Sequence, residues 1–268
     1  MTLIQAIILG IVQGLAEFIP VSSSGHLLLL ERVFKLPGDN MVFNIAAHLG
    51  TLTSVLFVYW KDVLALIMKP FQKYVGQLIV ATVPVVLLTL LLHNYLDAIN
   101  NPQPFVLALS FLITGVALLY SDAVRGGRKT SGQISWLDAL LVGLAQAIGI
   151  APGISRSGAT ISASVARGIK REDAAKFSFL MSVIAIVGAA VLEVGKSIKD
   201  PAAALAGVDW ACVVAGFAVS ALVGFFAVAF MIRLIKKGSL SGFAYYVFAV
   251  AVFIMFDTFV LKGQISGK

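Results

Sequence analysis

The stretch Gln13-Gly-Leu-Ala-Glu17-Phe-Ile-Pro20-Val-Ser22-Ser23-Ser24-Gly25-His26 gathers a carboxyl, hydroxyls and an imidazole, the groups that activate an oxygen nucleophile by taking its proton. Gln13 and Glu17 stand at i and i+4, so on a helix both face one side. Pro20 then ends that helix, because proline lacks the donor N–H and restricts the residue before it. Ser22 to Gly25 supply hydroxyl and backbone N–H groups just before His26-Leu-Leu-Leu-Leu, which reads as a second helix; a Ser-capped helix N-terminus is an anion site. With that helix starting near Ser24, Ser23 and His26 lie about one turn apart, and His26 is expected to activate Ser23 for phosphoryl transfer followed by hydrolysis. Ser22 and Ser24 are the rivals, since a one-residue shift in the helix start turns a different hydroxyl inward by roughly 100°.

The pattern returns at an offset of 133 residues as Gln146-Ala-Ile-Gly-Ile-Ala-Pro152-Gly-Ile-Ser155-Arg156-Ser157-Gly158-Ala-Thr160. Gly10/Gly143, Gln13/Gln146, Ser22/Ser155, Ser24/Ser157 and Gly25/Gly158 fall in register. This copy adds Arg156, whose planar fork holds phosphate oxygens two at a time. Two helix N-termini, one arginine and several hydroxyls form a phosphate or diphosphate cradle, for which Gln13, Ser22, Ser24, Gly25, Ser155, Ser157, Gly158 and Thr160 are the candidate binding residues. Polar groups in hydrocarbon cost several kcal/mol each unless paired or wet, so a duplicated polar break marks a site. Isolated serines such as Ser110 and Ser220 read instead as helix packing, and Glu193 and Asp257 as structural groups near span ends. His48 is open between a partner of the site and a buried core histidine.

The elements that must position these residues are membrane helices. The chain has 268 residues, 59% hydrophobic and 12% charged, against about 25% charged in a soluble domain. Its net charge of +7 does not form a nucleic-acid stripe; the basic residues flank apolar runs, as membrane topology requires. At about 20 residues per crossing, six runs can span: 41–60, 76–93, 104–121, 177–195, 210–234 and 242–261. Segments 2–30 and 136–166 are long but broken at the two Ser/Gly motifs. Reading both as re-entrant helix pairs puts the 61–75, 122–135, 167–176 and 233–241 connections, with most of the basic residues (Arg125 among them), on one side. Arg32, Lys35, Lys196, Lys199, Lys262 and Lys268 fall on the other. Positive-inside bias makes the first side cytoplasmic and both termini extracytoplasmic; the site is expected to open to the extracytoplasmic side, a face that charge counting does not fix. The expected fold is an all-α polytopic membrane protein with six transmembrane helices plus two re-entrant helix pairs. It forms an inverted-topology repeat of 1–121 and 136–268 joined by a cytoplasmic linker, 122–135, and the breaks should meet near the midplane. Cys212 has no partner for an internal disulfide, and the N-terminus lacks the basic start of a signal peptide.

The paired motifs Gln13-x-x-x-Glu17…Pro-Val-Ser-Ser-Ser-Gly-His26 and Pro152-Gly-Ile-Ser155-Arg156-Ser157-Gly-Ala-Thr160 resemble the undecaprenyl-diphosphatase family, also called bacitracin resistance proteins. The resemblance implies a hydrolase of the bacterial inner membrane that removes the terminal phosphate of a polyprenyl diphosphate, recycling the lipid carrier of cell-wall synthesis. It implies that Glu17 is the essential carboxylate, Ser23 the nucleophile, His26 the motif histidine and Arg156 the phosphate-binding arginine. Gln13 stands where the family takes Glu or Gln; glutamine is no base, so it is expected to orient phosphate, water or a cation. The family's divalent-cation stimulation implies Mg2+ or Ca2+ bound with the substrate diphosphate, Gln13 and Glu17 assisting, since no carboxylate cluster would hold a metal alone. No organic cofactor and no nucleic acid are expected; membrane lipids are, and a homodimer is left open. The alternative function is a transporter or flippase for a phosphorylated lipid or other anion, because inverted repeats with broken helices are also transporter architecture.

Overall fold

The structure is a computed structural model that describes residues 1–36, 40–124, 127–197, 205, 207–261 and 263. Arg125, Lys199, Lys262 and Lys268 of the charge argument lie outside the described residues. In chain order the helices are α1 (Leu3–Ala16), α2 (Ser23–Val33), α3 (Met41–Val58), α4 (Trp60–Met68), α5 (Lys73–Leu91), α6 (Leu96–Asn100), α7 (Pro104–Ala123), α8 (Trp136–Ile148), α9 (Arg156–Ala166), α10 (Arg171–Ser197), α11 (Trp210–Lys237) and α12 (Ser241–Phe259). Six of them, α3, α5, α7, α10, α11 and α12, are long and apolar enough to cross a bilayer. The chain is an all-α, multi-pass membrane protein.

The two short apolar pairs α1/α2 and α8/α9 are the broken segments. Each starts on a capping box, Thr2 with Gln5 and Ser135 with Asp138, which satisfies the first orphan N–H groups. Each second helix starts on a serine N-cap: Ser22 Oγ accepts from Gly25 N at 3.3 Å and Ser155 Oγ from Gly158 N at 3.0 Å. Helix α2 thus starts at Ser23, one residue before the start expected from the sequence.

Contacts at the helix ends show that both pairs enter and leave on one side. Arg32, at the end of α2, donates to the Pro102 carbonyl before α7 at 2.9 Å, and the Met1 carbonyl accepts from Cys212 Sγ at the start of α11 at 3.6 Å. At the opposite end of the bundle Asp138 accepts from Lys129 Nζ at 2.9 Å and from Arg167 Nε, just after α9, at 2.8 Å. The same end holds Lys176–Asp62 at 2.6 Å and Arg171–Asp122 at 2.9 Å. The two pairs therefore dip in from opposite ends, as an inverted repeat demands.

Small residues let the helix axes approach closely. A Cβ on Gly10 would stand 3.1 Å from the Gly216 carbonyl oxygen, and one on Gly143 would stand 2.5 Å from that of Ala81. Helix α1 thus lies on α11 as α8 lies on α5. Ser220 Oγ, on α11, donates to the Ala47 carbonyl of α3 at 2.8 Å, and Ser110 Oγ to the Val106 carbonyl of its own helix at 3.0 Å. Both serve helix packing, and large apolar side chains such as Leu87, Val116, Leu222 and Val252 face outward, where lipid would lie.

Candidate active site

The breaks meet. Ser22 Oγ accepts from the Gly153 amide at 3.1 Å across the interface of the two halves, and a Cβ on Gly25 would stand 2.8 Å from the Gly153 nitrogen. Thr114 of α7 braces the second break by donating to the Gly153 carbonyl at 2.9 Å and accepting from Ser155 N at 2.9 Å. The first break is the tenser of the two. Ser22 has φ 72, a conformation that costs a β-carbon residue about 1–3 kcal/mol and persists where surroundings enforce it. Its hydroxyl does the enforcing, by capping α2 and tying the Gly153 loop at once.

Glu17, one residue past α1, is the hub. Its side chain is 4% exposed. Oε2 accepts from Ser23 Oγ at 2.8 Å and from Gln13 Nε2 at 3.0 Å, and Oε1 accepts from Arg156 Nη2. Glu17, Ser23 and Arg156 are thus brought together, with the arginine balancing a carboxylate that burial would otherwise make costly. His48 joins them from α3, its Nε2 standing 3.8 Å from Glu17 Oε2.

Both ring nitrogens of His26 are turned to groups other than the Ser23 hydroxyl. Its Nδ1 lies 2.7 Å from the Ser22 carbonyl and its Nε2 2.8 Å from the Tyr246 hydroxyl. The ring stacks on Tyr246 with centroids 5.6 Å apart and meets Phe111 edge-on. Because α2 starts at Ser23, the His26 ring folds back onto the carbonyl four residues earlier and away from the Ser23 hydroxyl. The side chain that accepts from the Ser23 hydroxyl is Glu17.

A cavity of about 940 Å³ opens on this cluster. Glu17, Ser22, Ser23, Ser24, Ser155, Arg156 and Ser157 line its polar end, and Leu27, Leu28, Val85, Leu90, Ile184 and Leu192 an apolar wall. Glu31, Asn40, Asn100 and Glu193 extend the lining toward the end of the bundle opposite Asp138. Five expected site residues are not in the lining. His26 is one. Gln13 is fully buried, so it acts on the cavity through Glu17. The amides of Gly25 and Gly158 are committed to their serine caps. Thr160 Oγ1 donates to the Arg156 carbonyl at 2.8 Å and pairs with Ser178 Oγ at 2.6 Å, inside the protein. Ser22 and Ser155 reach the cavity, but their hydroxyls serve mainly as caps.

Gln146 was noted in the sequence only as the counterpart of Gln13. It lines the cavity, donates Nε2 to the Ala81 carbonyl at 3.2 Å and leaves Oε1 without a partner. Asn44 and His48, one turn apart on α3, also line it; their i, i+4 spacing was the legible signal. Gln13 and Glu17 do not fit the expected metal-assisting pair. The first is sealed from the cavity, the second already carries a guanidinium as counter-charge, and among the described residues no group of three acidic, His or Cys side chains could hold a metal.

Residues 6–253 match the family described as Bacitracin resistance protein BacA. The chain belongs to this family. It is 44% identical over 251 residues to the undecaprenyl-diphosphatase of Carboxydothermus hydrogenoformans, covering 94% of this chain and 95% of the relative. Undecaprenyl-diphosphatase 4 of Bacillus thuringiensis subsp. konkukian is 39% identical over 255 residues, 95% of this chain and 97% of its own. The undecaprenyl-diphosphatase of Moorella thermoacetica is 37% identical over 262 residues, with the same coverage of 95% and 97%.

Proposed function

We infer that this chain hydrolyses undecaprenyl diphosphate to undecaprenyl phosphate and phosphate inside the membrane. The observation that carries the reading is the Ser23 hydroxyl donating to a buried Glu17 that also holds Arg156, at the polar end of an apolar-walled cavity. The apolar wall suits a polyprenyl chain, and Ser24, Ser157 and Arg156 suit the diphosphate oxygens. Ser23 Oγ attacks the terminal phosphorus while Glu17 takes its proton, and the bridging oxygen leaves with the lipid phosphate. Once that proton has left Glu17, the restored carboxylate activates water, which releases phosphate from the phosphoseryl residue as Ser23 Oγ regains a proton through Glu17. His26 holds the Ser22 carbonyl and so the shape of the first break.

Residues 1–121 and 136–268 form the two inverted repeats of this reading, with 122–135 as their cytoplasmic linker. The bundle end with Lys129, Arg167, Arg171 and Lys176 faces the cytoplasm by positive-inside bias, so both termini and the cavity mouth face the extracytoplasmic side. Any Mg2+ or Ca2+ enters on the diphosphate's own oxygens. The test is phosphate release from undecaprenyl diphosphate by the purified protein in detergent with no membrane gradient. Release is expected; binding without release would favour a lipid transporter.

A further inference from the structure

Among the described residues, His48 is the titratable side chain beside Glu17 that the mechanism above leaves unused. Its Nε2 lies 3.8 Å from Glu17 Oε2, the oxygen that accepts from Ser23. Its Nδ1 lies 2.8 Å from the Asn44 carbonyl. A carbonyl only accepts, so Nδ1 carries the ring proton and Nε2 is the basic atom turned toward Glu17. The side chain is 34% exposed, against 4% for Glu17, and lines the cavity. It touches both the buried carboxylate and the space that water enters. The other charged groups around that space are Arg156 on α9, Glu31 on α2, which accepts from Asn44 Nδ2 at 3.2 Å, and Glu193 on α10. Helix α11 presents Phe217, Ser220 and Ala221 to this part of α3, none of them titratable.

Hydrolysis of a lipid diphosphate above neutral pH converts a trianion and water into two dianions and a proton, since the second ionisation of a phosphate ester lies near pH 6. That proton must leave a site whose base is nearly sealed. We propose that His48 is the proton carrier between Glu17 and the cavity water. As the bond from Ser23 Oγ to phosphorus forms and the bond to the leaving lipid phosphate breaks, the Ser23 proton moves to Glu17 Oε2. His48 Nε2 takes it from there, restoring the carboxylate. The attacking water then gives its proton to Glu17, which returns it to Ser23 Oγ as the phosphoseryl bond breaks. His48 discharges its proton to the cavity, which balances the reaction at one proton out per turnover. This inference rests on the phosphatase reading.

The experiment is the pH dependence of kcat for phosphate release from undecaprenyl diphosphate in detergent, for wild type, His48→Gln and His48→Ala. The wild-type rate should fall on the acid side, because a protonated His48 cannot accept. Both variants should run about 100-fold slower at neutral pH and lack that acid limb, and free imidazole should restore part of the rate to His48→Ala. A wild-type rate with no acid limb overturns the inference without any variant. So do variants that keep the acid limb, or an equal loss at every pH with no imidazole rescue, which would make His48 a packing residue. Wild type that releases no phosphate at all would instead remove the phosphatase reading itself.

Discussion

Replacing Glu17 by Gln keeps the shape of the hub and removes its charge. Three donors converge on the carboxylate, Ser23 Oγ at 2.8 Å, Gln13 Nε2 at 3.0 Å and the Arg156 guanidinium, and His48 Nε2 stands 3.8 Å away. A carboxamide can accept through one oxygen only. Whichever way it turns, its NH2 group faces either Arg156 or the Ser23 and Gln13 donors, and the Ser23 proton has no base. Loss of a general base costs about 100- to 10,000-fold, or roughly 3–5 kcal/mol in barrier height at 1.36 kcal/mol per decade. The variant should also melt earlier, because Arg156, with its side chain 22% exposed, loses its counter-charge. Removing one partner of a fully buried pair costs about 3–5 kcal/mol, and the residual exposure of Arg156 brings the expected loss below that. Adding Arg156→Gln should recover part of the stability and none of the turnover. Phosphate release from undecaprenyl diphosphate and a thermal melt of the same preparation measure both. A Glu17→Gln protein within tenfold of the wild-type rate would refute the assignment of Glu17 as the base.

Ser23→Ala should lower turnover by about 1,000-fold or more, whereas Ser22→Ala should chiefly destabilise the first break by about 1 kcal/mol through loss of the α2 cap, as a melt would show. Ser22→Gly should be less destabilising than Ser22→Ala, because glycine adopts φ 72 without strain; the reverse order would contradict the strained cap. His26→Phe should lower both Tm and rate without shifting the pH profile of the remaining activity, and a shifted profile would return His26 to proton transfer. Gly143→Leu should prevent α8 from seating on α5, where a mere Cβ would stand 2.5 Å from the Ala81 carbonyl oxygen, and a variant with the wild-type melting temperature would contradict that packing.

The spans were legible because twenty apolar residues in a row have few other uses, and α3, α5, α7, α11 and α12 fall within a few residues of the runs read from sequence. Helix α10 starts earlier than its apolar run because Arg171, Glu172, Asp173 and Lys176 extend it into the polar end of the bundle. The meeting of the breaks followed from the serines and glycines duplicated at an offset of 133, each set just after a proline, and from an odd number of spans in between. The direction of His26 was not legible. It depends on one residue of helix phase and on Tyr246, 220 positions away. Nor could spacing reveal that Gln13 is sealed beneath Glu17, or that Thr160 turns to Ser178 on α10; both require knowing which helix covers each face. His48 could be placed only once α3 was known to pass the first break.

The central claim is that phosphorus is transferred to Ser23 and then to water. The most direct test is the configuration at phosphorus after hydrolysis of undecaprenyl diphosphate whose terminal phosphate is made chiral with sulfur and isotopic oxygen, in isotopically labelled water. Two successive in-line displacements, one by Ser23 and one by water, predict thiophosphate of retained configuration. Inverted configuration would mean a single displacement by water, with Ser23 only orienting it, and would contradict the account.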